Sequence, residues 1–437
     1  MIAPLKKAFL TIACILLISF CVPSIAPVEA QGSIEISINA DGTVTPASAP
    51  IQKAGNYYTL TSDVTGSFTI LRSNLTFDGN NHVITVPSIF SGGIELNDVS
   101  GVIVKNFVIN GGAFGVLVWG DYNLVTNSTI TGTDNGIYAL NSPTEAIGIT
   151  GSQNNVTNNF LDRNRVGINF MGGMPEVCAD NFIVGNTMMN CSVALLIYDS
   201  SNNHIYYNNF VDNERIVEDT GYSGYGIISI NSWDDDHHLG NYWSDYKTRY
   251  PNATTKGASE LGDTPYFVRP ASYVDPSTIS RSQAKEYWIN FNALYAKNVD
   301  NYPLMTPFTN LLYAQATTPP VINLTSPSNQ VYCTTNVSLT LTTDKSLDWI
   351  GYSLDDAANV TATGNFVISN LTEGSHSITV YANDTYGNMV SESAKFTVST
   401  SQPFSTLAMT ALIITISVGV TLAIFFGKKK RFFMRRK

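Results

Sequence analysis

The chain has 437 residues, of which 44% are hydrophobic and only 13% are charged. Globular proteins usually contain about 25% charged residues, so this chain buries long apolar runs or displays a neutral polar surface. The formal net charge of −10 argues against a nucleic-acid partner, which needs clustered Lys and Arg. Basic residues collect at the two ends, because the segment from Gln31 to Ser405 contains 15 basic and 33 acidic residues.

The two ends of the chain predict an exported protein that is anchored in a membrane. Residues 1–30 have the basic start, apolar core and small-residue cleavage site of a signal peptide. Residues 407–426 carry no charge, and a helix of that length reaches ~30 Å, the thickness of the hydrocarbon core of a bilayer. The basic tail at 427–437 follows directly and is expected to stay in the cytoplasm. We therefore expect a single-pass cell-membrane protein whose N-terminal ectodomain is extracellular.

Two short patterns recur along the first half of the ectodomain. The first consists of an aliphatic residue, two further residues, a polar residue, one residue and an apolar residue. It begins at Ile103, Val125, Val156, Ile183 and Ile205, with Asn106, Ser128, Asn159, Asn186 and Asn208 in the polar slot. The second is a small residue followed by aliphatic alternation, and it begins at Gly93, Gly115, Gly136, Gly167 and Ala194. Intervals of 22, 31 and 27 residues occur in both series, as insertions into shared repeats require.

These repeats predict an all-β fold: a right-handed parallel β-helix with an N-terminal cap over residues 31–230. Short strands cannot bury a face alone, but stacked coils bury a continuous core, and about six or seven coils fit this segment. Asparagines in the same slot of successive coils are expected to stack their amides into a ladder. A β-sandwich of unrelated short strands is the alternative.

The repeat ends before Asn231, and three motifs follow within residues 231–316. They are GNYWSDY at 240–246, GDTPY at 262–266 and YPLM at 302–305. Coils followed by these motifs resemble the NosD-type β-helix family, which also occurs in archaeal cell-surface proteins. The resemblance covers about residues 34–308 and implies a periplasmic, copper-binding accessory role. From the residues alone, we interpret 231–316 as a C-terminal cap that contains an insertion.

Four aromatic residues of the cap segment are candidates for carbohydrate binding: Trp233, Tyr242, Trp243 and Tyr246. If they are exposed, their rings can stack on the faces of sugars. If they are buried, they cover the last coil and prevent further strands from adding to it. The second interpretation is the structural one, and the sequence favours it.

An acidic stretch in the same segment is the candidate metal site: Asp234, Asp236, His237 and His238. In a loop, the two histidines and an aspartate could bind copper, and the carboxylates alone would suit calcium. On a strand, adjacent side chains point to opposite faces, so both histidines could not easily reach one ion. A solvated acidic turn is the alternative to either ion.

The densest acidic group on the coils supplies the candidate catalytic residues: Asp212, Glu214, Glu218 and Asp219. Hydrolysis of a polysaccharide needs two carboxylates across a cleft, one of them with a raised pKa. No spacing recurs that would pair these carboxylates across coils. Turn residues and surface ion pairs are therefore the alternative, and we do not expect an enzyme.

The ectodomain retains three cysteines after removal of the signal peptide, Cys178, Cys191 and Cys333. An odd number cannot form a complete disulfide framework. A Cys178–Cys191 bridge and two buried thiols are the alternatives. Ten Asn-x-Ser/Thr sequons are candidate glycosylation sites: Asn74, Asn127, Asn155, Asn190, Asn252, Asn323, Asn336, Asn359, Asn370 and Asn383.

Residues 319–399 predict an Ig-like β-sandwich between the cap and the membrane. About seven alternating strands fit into this segment, which is typical of that fold. Trp349 on the third strand is expected to be a buried core residue, and Cys333 has no partner for an antibody-type disulfide. The module is expected to act as a spacer.

The sequence as a whole predicts a membrane-anchored surface glycoprotein whose β-helix binds envelope or external glycans, or surface-layer components, without cleaving them. A NosD-like copper-binding protein is the first alternative, and a polysaccharide lyase or hydrolase is the second. A flat flank of Asn, Thr and aromatic side chains would favour glycan binding. Two carboxylates that face one groove would favour cleavage.

Overall fold

The computed structural model of the protein describes the following residues: 33–88, 90–133, 145–172, 178–219, 229–236, 239–257, 259–268, 297–401, 414, 417, 418 and 420–422. The predicted signal peptide, most of the predicted span, the basic tail and both candidate histidines, His237 and His238, lie outside them. Within these ranges, no helix combines the length and the apolar composition needed to cross a bilayer.

The described chain divides into two compact units. The β-helix unit comprises the chain up to Asp234, residues 240–249 and residues 266–301. The sandwich unit comprises residues 235–239, residues 250–265 and the chain from Tyr302 onward. The segment predicted as a cap therefore contributes residues to both units.

The β-helix unit is built from short strands in three sheets, named A, B and C. Sheet A contains β1 (Ile34–Ile38), β5 (Val64–Ile70), β8 (Ile94–Leu96), β11 (Val116–Val118), β14 (Glu145–Ile149), β17 (Val166–Met171), β20 (Val193–Tyr198) and β23 (Arg215–Asp219). Sheet B contains β3 (Ile51–Ala54), β4 (Tyr57–Leu60), β6 (Thr76–Asp78), β9 (Ile103–Lys105), β12 (Leu124–Thr126), β15 (Asn155–Thr157), β18 (Phe182–Val184) and β21 (His204–Tyr206). Sheet C contains β7 (Val83–Val86), β10 (Val108–Gly111), β13 (Thr129–Thr131), β16 (Phe160–Asp162), β19 (Thr187–Met189), β22 (Asn209–Val211) and β24 (Tyr242–Trp243). The short strand β2 (Val44–Thr45) pairs antiparallel with β1.

From β4 onward, each strand of the described coils pairs in parallel with the equivalent strand of the next coil, and this confirms the predicted parallel β-helix. In sheet A, for example, Ile94 pairs with Val116, which pairs with Ile147. All three side chains are buried, because alternate residues of each strand point into the core. The right-handed path of the coils stays a prediction.

Two details of the predicted repeat are wrong. Val104, not Ile103, pairs with Val125, so Phe107 rather than Asn106 occupies the predicted polar slot of that coil. Asn106 instead has a φ of 58° in the turn. The pattern at Gly136 lies outside the described residues, and the strand that continues sheet A is β14. The chain between β11 and β14 contains an insertion. The alternation of apolar residues alone could not show whether the strand that pairs with β11 comes before or after it.

The coils turn at three corners, each of which has a left-handed residue followed by an inward-pointing one. At the corner between sheets A and B, the left-handed positions are Gly101, Tyr122, Gln153, Asp180 and Asn202, with φ between 55° and 66°. Gly and Asn adopt this conformation most readily, because a β-carbon and a larger side chain strain it. The Asn-rich turns of the sequence therefore reflect a backbone requirement that repeats with every coil.

Beyond the last coil, the β-helix unit contains helix α1 (Tyr246–Arg249) and the antiparallel pair β25 (Tyr266–Phe267) and β26 (Val299–Asp300). The indole of Trp243 stacks on Phe210 of β22, with ring centroids 4.6 Å apart. On its other side, Trp243 stacks on Tyr266 at 4.2 Å. The aromatic rings thus extend the apolar core of the coils into the cap.

The sandwich unit contains helix α2 (Asn310–Thr317) and two β-sheets. One sheet has the order β27 (Ile322–Ser326), β29 (Val337–Thr343) and β32 (Phe366–Ile368). The other has the order β28 (Val331–Tyr332), β34 (Met389–Val398), β33 (Gly374–Asp384), β30 (Leu347–Leu354) and β31 (Val360–Thr361). Apolar residues of both sheets form one core, which includes Leu339, Ile378 and Phe396.

Trp349 does not form part of that core, so its predicted burial is wrong. The register of β30 against β33 shifts between Leu347 and Trp349. Ile350 is buried instead, and the indole of Trp349 lies over Gly351, where an added Cβ would come within 2.4 Å of the ring. Alternation predicts the inward face only where no bulge interrupts it.

Candidate functional site

Asparagine ladders run inside the β-helix at its corners, as the sequence predicts. Asn186 shows the bonding pattern: its Nδ2 donates to the carbonyl of Val156 at 2.8 Å, and its Oδ1 accepts from the backbone N–H of Asn159 at 3.0 Å. The first ladder contains Asn123, Asn154, Asn181, Asn203 and Asn231, and the second contains Ser128, Asn159, Asn186, Asn208 and Asn241. These buried amides are fully engaged with each other and with the backbone, so they hold the coils together.

Both ladders end on the segment around β26. Asn298 accepts hydrogen bonds from the backbone N–H of Asn231 at 3.1 Å and from Nε1 of Trp233 at 2.9 Å. Asp300 accepts one from the backbone N–H of Asn241 at 2.7 Å. Because Asn298 and Asp300 are two positions apart on an extended segment, their side chains point to the same side. One short stretch of chain thus terminates two ladders.

The aromatic residues predicted to bind sugars are mostly buried in the cap. Trp233 and Tyr246 are each 2% exposed, and Trp243 is 1% exposed. No face of these three rings is open for a sugar, so their candidacy for carbohydrate binding is corrected, and the structure shows the burial that the sequence favoured. Tyr242 is half-buried, and burial together with the Asp212 carboxylate raises the pKa of its phenol.

Two carboxylates of the acidic stretch after Trp233 accept hydrogen bonds from neighbouring residues. Asp234 is buried and accepts hydrogen bonds from the backbone N–H and Nδ2 of Asn301, at 3.0 and 2.9 Å. Oδ1 of Asp235 accepts from the backbone N–H of Leu239 at 2.9 Å. Asp236 has a φ of 59°, as residues of tight turns often do. Asp234 and Asp235 therefore have structural roles, and a metal site in this stretch stays a prediction.

The carboxylates predicted for catalysis are not brought together in one groove. Glu218 and Asp219 are neighbours on β23, so their side chains point to opposite faces of sheet A. Arg215 forms an ion pair with Glu218, and Asp219 accepts a hydrogen bond from the backbone N–H of Ser229 at 2.8 Å. The other two candidates are exposed residues of the preceding turn: Asp212 and Glu214.

Cys178 and Cys191 are buried free thiols, which confirms the second of the two predicted alternatives. Burial raises the pKa of each thiol to about 11. Both therefore stay protonated at neutral pH, whereas a metal ligand must be a thiolate. Cys333 in the sandwich unit is free and exposed.

Two exposed aromatic residues share a corner of the β-helix that was not among the predicted sites. Trp119 is 41% exposed and Tyr122 is 64% exposed, and both lie in the turn between β11 and β12. Tyr122 has a φ of 61°, although most residues at this corner position are Gly, Asn or Asp. Comparison of the same corner position in successive coils would have revealed Tyr122 as its aromatic member.

The outer face of sheet B carries further aromatic side chains beside threonine and asparagine. Phe182 is 36% exposed and stacks on His204 of the next coil, with ring centroids 4.6 Å apart. On its other side, Phe182 pairs with Asn155 of the preceding coil. Thr157 and Thr126 join their hydroxyls at 2.9 Å on the same face. The outer face of the described part of sheet B thus carries aromatic, threonine and asparagine side chains.

Residues 57–248 match the family model described as "Periplasmic copper-binding protein (NosD)". This segment is a NosD-type parallel β-helix. The chain is also similar to halomucin of Haloquadratum walsbyi, with 28% identity over 161 residues. That match covers 35% of this chain but only 2% of halomucin, so the chain spans a very small part of this curated relative.

The described histidines and cysteines of the NosD-type β-helix are not gathered at one place. No cluster of three or more His, Cys, Asp or Glu side chains that could hold an ion occurs among the described residues. His82 contacts Asp63 at 3.1 Å, and His204 is stacked on Phe182, so the described histidines of this unit serve other contacts. The thiols are protonated and buried. Copper binding therefore rests on the family description and on the two histidines outside the described ranges.

Proposed function

We propose that the protein is a cell-surface protein, anchored by residues 407–426, whose NosD-type β-helix binds envelope or external glycans without cleaving them. The observation that carries this proposal is the exposure of Trp119 and Tyr122 in one turn. The Ig-like assignment of the sandwich and its spacer role are part of the same proposal.

The backbone of Tyr122 supports a functional role for this turn. A non-glycine residue in the left-handed region is strained, and such residues persist where function retains them. Tyr122 gains little from packing, because 64% of it is exposed. Gly or Asn would meet the backbone requirement at lower cost, so the phenol ring itself is the feature to explain.

The chemistry of the turn suits a neutral sugar. Indole and phenol rings present apolar faces to the C–H face of a pyranose, and their N–H and O–H groups remain available for hydrogen bonds. Asp121 lies between the two aromatic residues and is exposed, so its carboxylate can accept hydrogen bonds from sugar hydroxyls. Oδ1 of Asp121 also accepts a hydrogen bond from the backbone N–H of Ser152 at 2.7 Å, which positions the carboxylate.

Binding without cleavage is favoured by the positions of the described carboxylates. Glycoside hydrolysis needs two carboxyl groups that face the same bond. Glu218 and Asp219 point to opposite faces, and each has a partner within the fold. The similarity to halomucin and the periplasmic description of the family support an extracellular location.

The test is a glycan array probed with the full-length protein in detergent micelles. We expect binding to a subset of neutral glycans, and we expect Trp119→Ala and Tyr122→Ala to weaken it about tenfold or more, which corresponds to ~1.4 kcal/mol or more. Phe90→Ala is the matched control, because Phe90 is also an exposed aromatic residue of the β-helix unit but follows a different strand. Unchanged binding by both turn variants would contradict the proposal, and release of shortened oligosaccharides would replace it with an enzymatic function.

A further inference from the structure

The two sheets of the sandwich unit, within residues 322–398, carry five Asn-x-Ser/Thr sequons whose asparagines differ in their surroundings. Four of these asparagines are exposed: Asn323, Asn336, Asn359 and Asn370. The fifth, Asn383, is half-buried, and its Oδ1 is enclosed without a hydrogen-bond partner among the described residues. The sequence presents five equivalent motifs, and the fold separates one of them from the others.

We propose that Asn323, Asn336, Asn359 and Asn370 are N-glycosylated and that Asn383 is not. In this modification, Nδ2 of the asparagine forms a bond to the anomeric carbon of an oligosaccharide. The bond between that carbon and the phosphate oxygen of a lipid-linked donor breaks, the lipid phosphate leaves with the electron pair, and one amide proton is released. The proposal depends on export of the sandwich, and it is independent of glycan binding by the β-helix.

The four asparagines lie where a sugar leaves the hydrogen bonds between strands intact. Asn323 lies on β27, an edge strand of the three-stranded sheet. Asn336 directly precedes β29, and Asn370 follows β32 by two residues. Asn359 directly precedes β31, an edge strand of the other sheet. In each case the asparagine side chain is exposed, so an attached glycan extends into solvent.

Asn383 has a different environment. It lies on β33, which is hydrogen-bonded on both sides, to β30 and to β34. Its direct partner on β30 is Trp349, a bulky side chain on the same face of the sheet. Because Asn383 is half-buried and the oxygen of its amide is enclosed, a sugar on Nδ2 would have to displace neighbouring groups, whereas the four exposed asparagines need no such displacement.

Asn336 and Asn370 are neighbours in space. Oδ1 of Asn336 accepts a hydrogen bond from the backbone N–H of Asn370 at 3.3 Å. Because glycosylation uses Nδ2 and leaves Oδ1 free, this hydrogen bond can persist after modification. Two glycans would therefore emerge side by side at one end of the three-stranded sheet and shield that part of the sandwich.

The test uses the full-length protein purified from membranes of its native host, with glycopeptides identified by mass spectrometry. We expect a glycan on each of the four exposed asparagines and an unmodified Asn383. Replacement of any one of the four by Gln should remove one glycan mass from the intact protein, whereas Asn383→Gln should leave the glycan mass unchanged. Ser338→Ala removes the sequon of Asn336 without changing the asparagine and should cause the same loss as Asn336→Gln.

Absence of glycans from all four exposed asparagines would overturn the proposal. A glycan on Asn383 at an occupancy equal to that of the other four would also overturn it, because exposure would then not decide modification. Ser338→Ala distinguishes loss of a glycan from a fold defect. It removes only an exposed hydroxyl group, so the fold should stay intact while the glycan on Asn336 is lost.

Discussion

The indole Nε1 of Trp243 donates a hydrogen bond of 2.8 Å to Oδ2 of Asp300, a residue 57 positions further along the chain. The same oxygen accepts the backbone N–H of Asn241, the last member of the second ladder. Asp300 is 0% exposed, and an added Cβ at Gly240 would lie 1.8 Å from its Oδ1. One buried carboxylate therefore explains the glycine and the tryptophan of the GNYWSDY motif, whereas the asparagine is explained by the ladder that its side chain joins.

Asp300→Ala is expected to destabilise the β-helix unit by about 3 kcal/mol, because it leaves two buried N–H donors without an acceptor. Asp300→Asn keeps one acceptor oxygen and is expected to cost clearly less. Chemical denaturation followed by tryptophan fluorescence measures both. Asp98→Asn is the matched control, since Asp98 is an exposed carboxylate of the same unit. If Asp300→Ala unfolds at the same denaturant concentration as the control, the carboxylate does not hold the end of the ladder.

The coils were predictable from sequence because each of them repeats one local requirement. An inward aliphatic residue, a left-handed turn residue and an inward polar residue recur at intervals set by the coil length, as at Ile183, Gly185 and Asn186. The first copy was misread because Asn106 satisfies the turn and mimics the ladder residue that follows it. A single polar residue cannot distinguish the two positions, whereas the register of the paired strands does.

The sequence favoured burial of the cap aromatics, but the groups that cover them could not be predicted, because those groups are distant in sequence. Trp233 and Trp243 are covered and hydrogen-bonded through Asn298 and Asp300, which follow a long insertion. Nothing near either tryptophan in the sequence shows that its ring is enclosed. Conversely, Trp119 and Tyr122 resemble ordinary strand-end residues until the corners of successive coils are compared.

A third corner of the coils suggests a stabilising substitution. The inward residues there are Thr133, Asn164, Cys191 and Asn213, so Cys191 occupies a ladder position. Nδ2 of Asn164 donates to the carbonyl of Ile130 at 3.0 Å. The thiol of Cys191 faces the equivalent carbonyl of Leu161 at 3.8 Å.

Cys191→Asn is therefore expected to complete this ladder and to stabilise the β-helix unit by about 1 kcal/mol, the net value of one typical hydrogen bond. Thermal unfolding monitored by circular dichroism measures the change. Cys178→Asn serves as the comparison, because Cys178 is also buried but lies outside the ladder positions, and this variant is expected to be destabilised. A lower melting temperature for Cys191→Asn than for the unmodified protein would show that the corner cannot accommodate the amide.

Replacement of Tyr122 should separate stability from binding. Asn tolerates the left-handed φ of 61° better than Tyr, so Tyr122→Asn is expected to stabilise the β-helix unit by about 0.5–1 kcal/mol. The same variant loses the exposed ring and should bind glycans at least tenfold more weakly. Denaturation curves and array titrations, run on one preparation, measure both effects.

Asn202→Tyr is the reverse substitution at the same corner position of another coil. This variant should be destabilised, and its new ring would not lie beside Trp119, which belongs to the turn of Tyr122. Weaker stability of Tyr122→Asn would remove the strain argument for this turn.

The sandwich unit should lose stability as the pH rises above the ordinary histidine pKa of about 6.5, because of His376. This buried side chain places Nδ1 at 2.7 Å from a carboxylate oxygen of Asp355 and Nε2 at 2.8 Å from the carbonyl of Thr372. Both partners are acceptors, so the doubly protonated ring fits the site. The Thr372 carbonyl, followed by the Asp355 carboxylate, raises the pKa of His376. Although burial opposes it, hydrogen bonds from the Ser377 N–H and from His376 lower the pKa of Asp355.

Because the folded-state pKa of His376 is raised, its stabilisation is complete below the ordinary histidine pKa of about 6.5 and is lost as the pH rises through the raised value. The contribution of Asp355 has the opposite sign: it is present above the ordinary aspartate pKa and is lost as the pH falls through the lowered value. Calorimetric melting of the sandwich from pH 5 to pH 9 should therefore show a declining midpoint, and His376→Gln should flatten that decline. His82→Gln is the control, since His82 also contacts an aspartate but lies in the β-helix unit, and it should leave the sandwich transition unchanged. A decline of equal slope in His376→Gln would assign the pH dependence to another group.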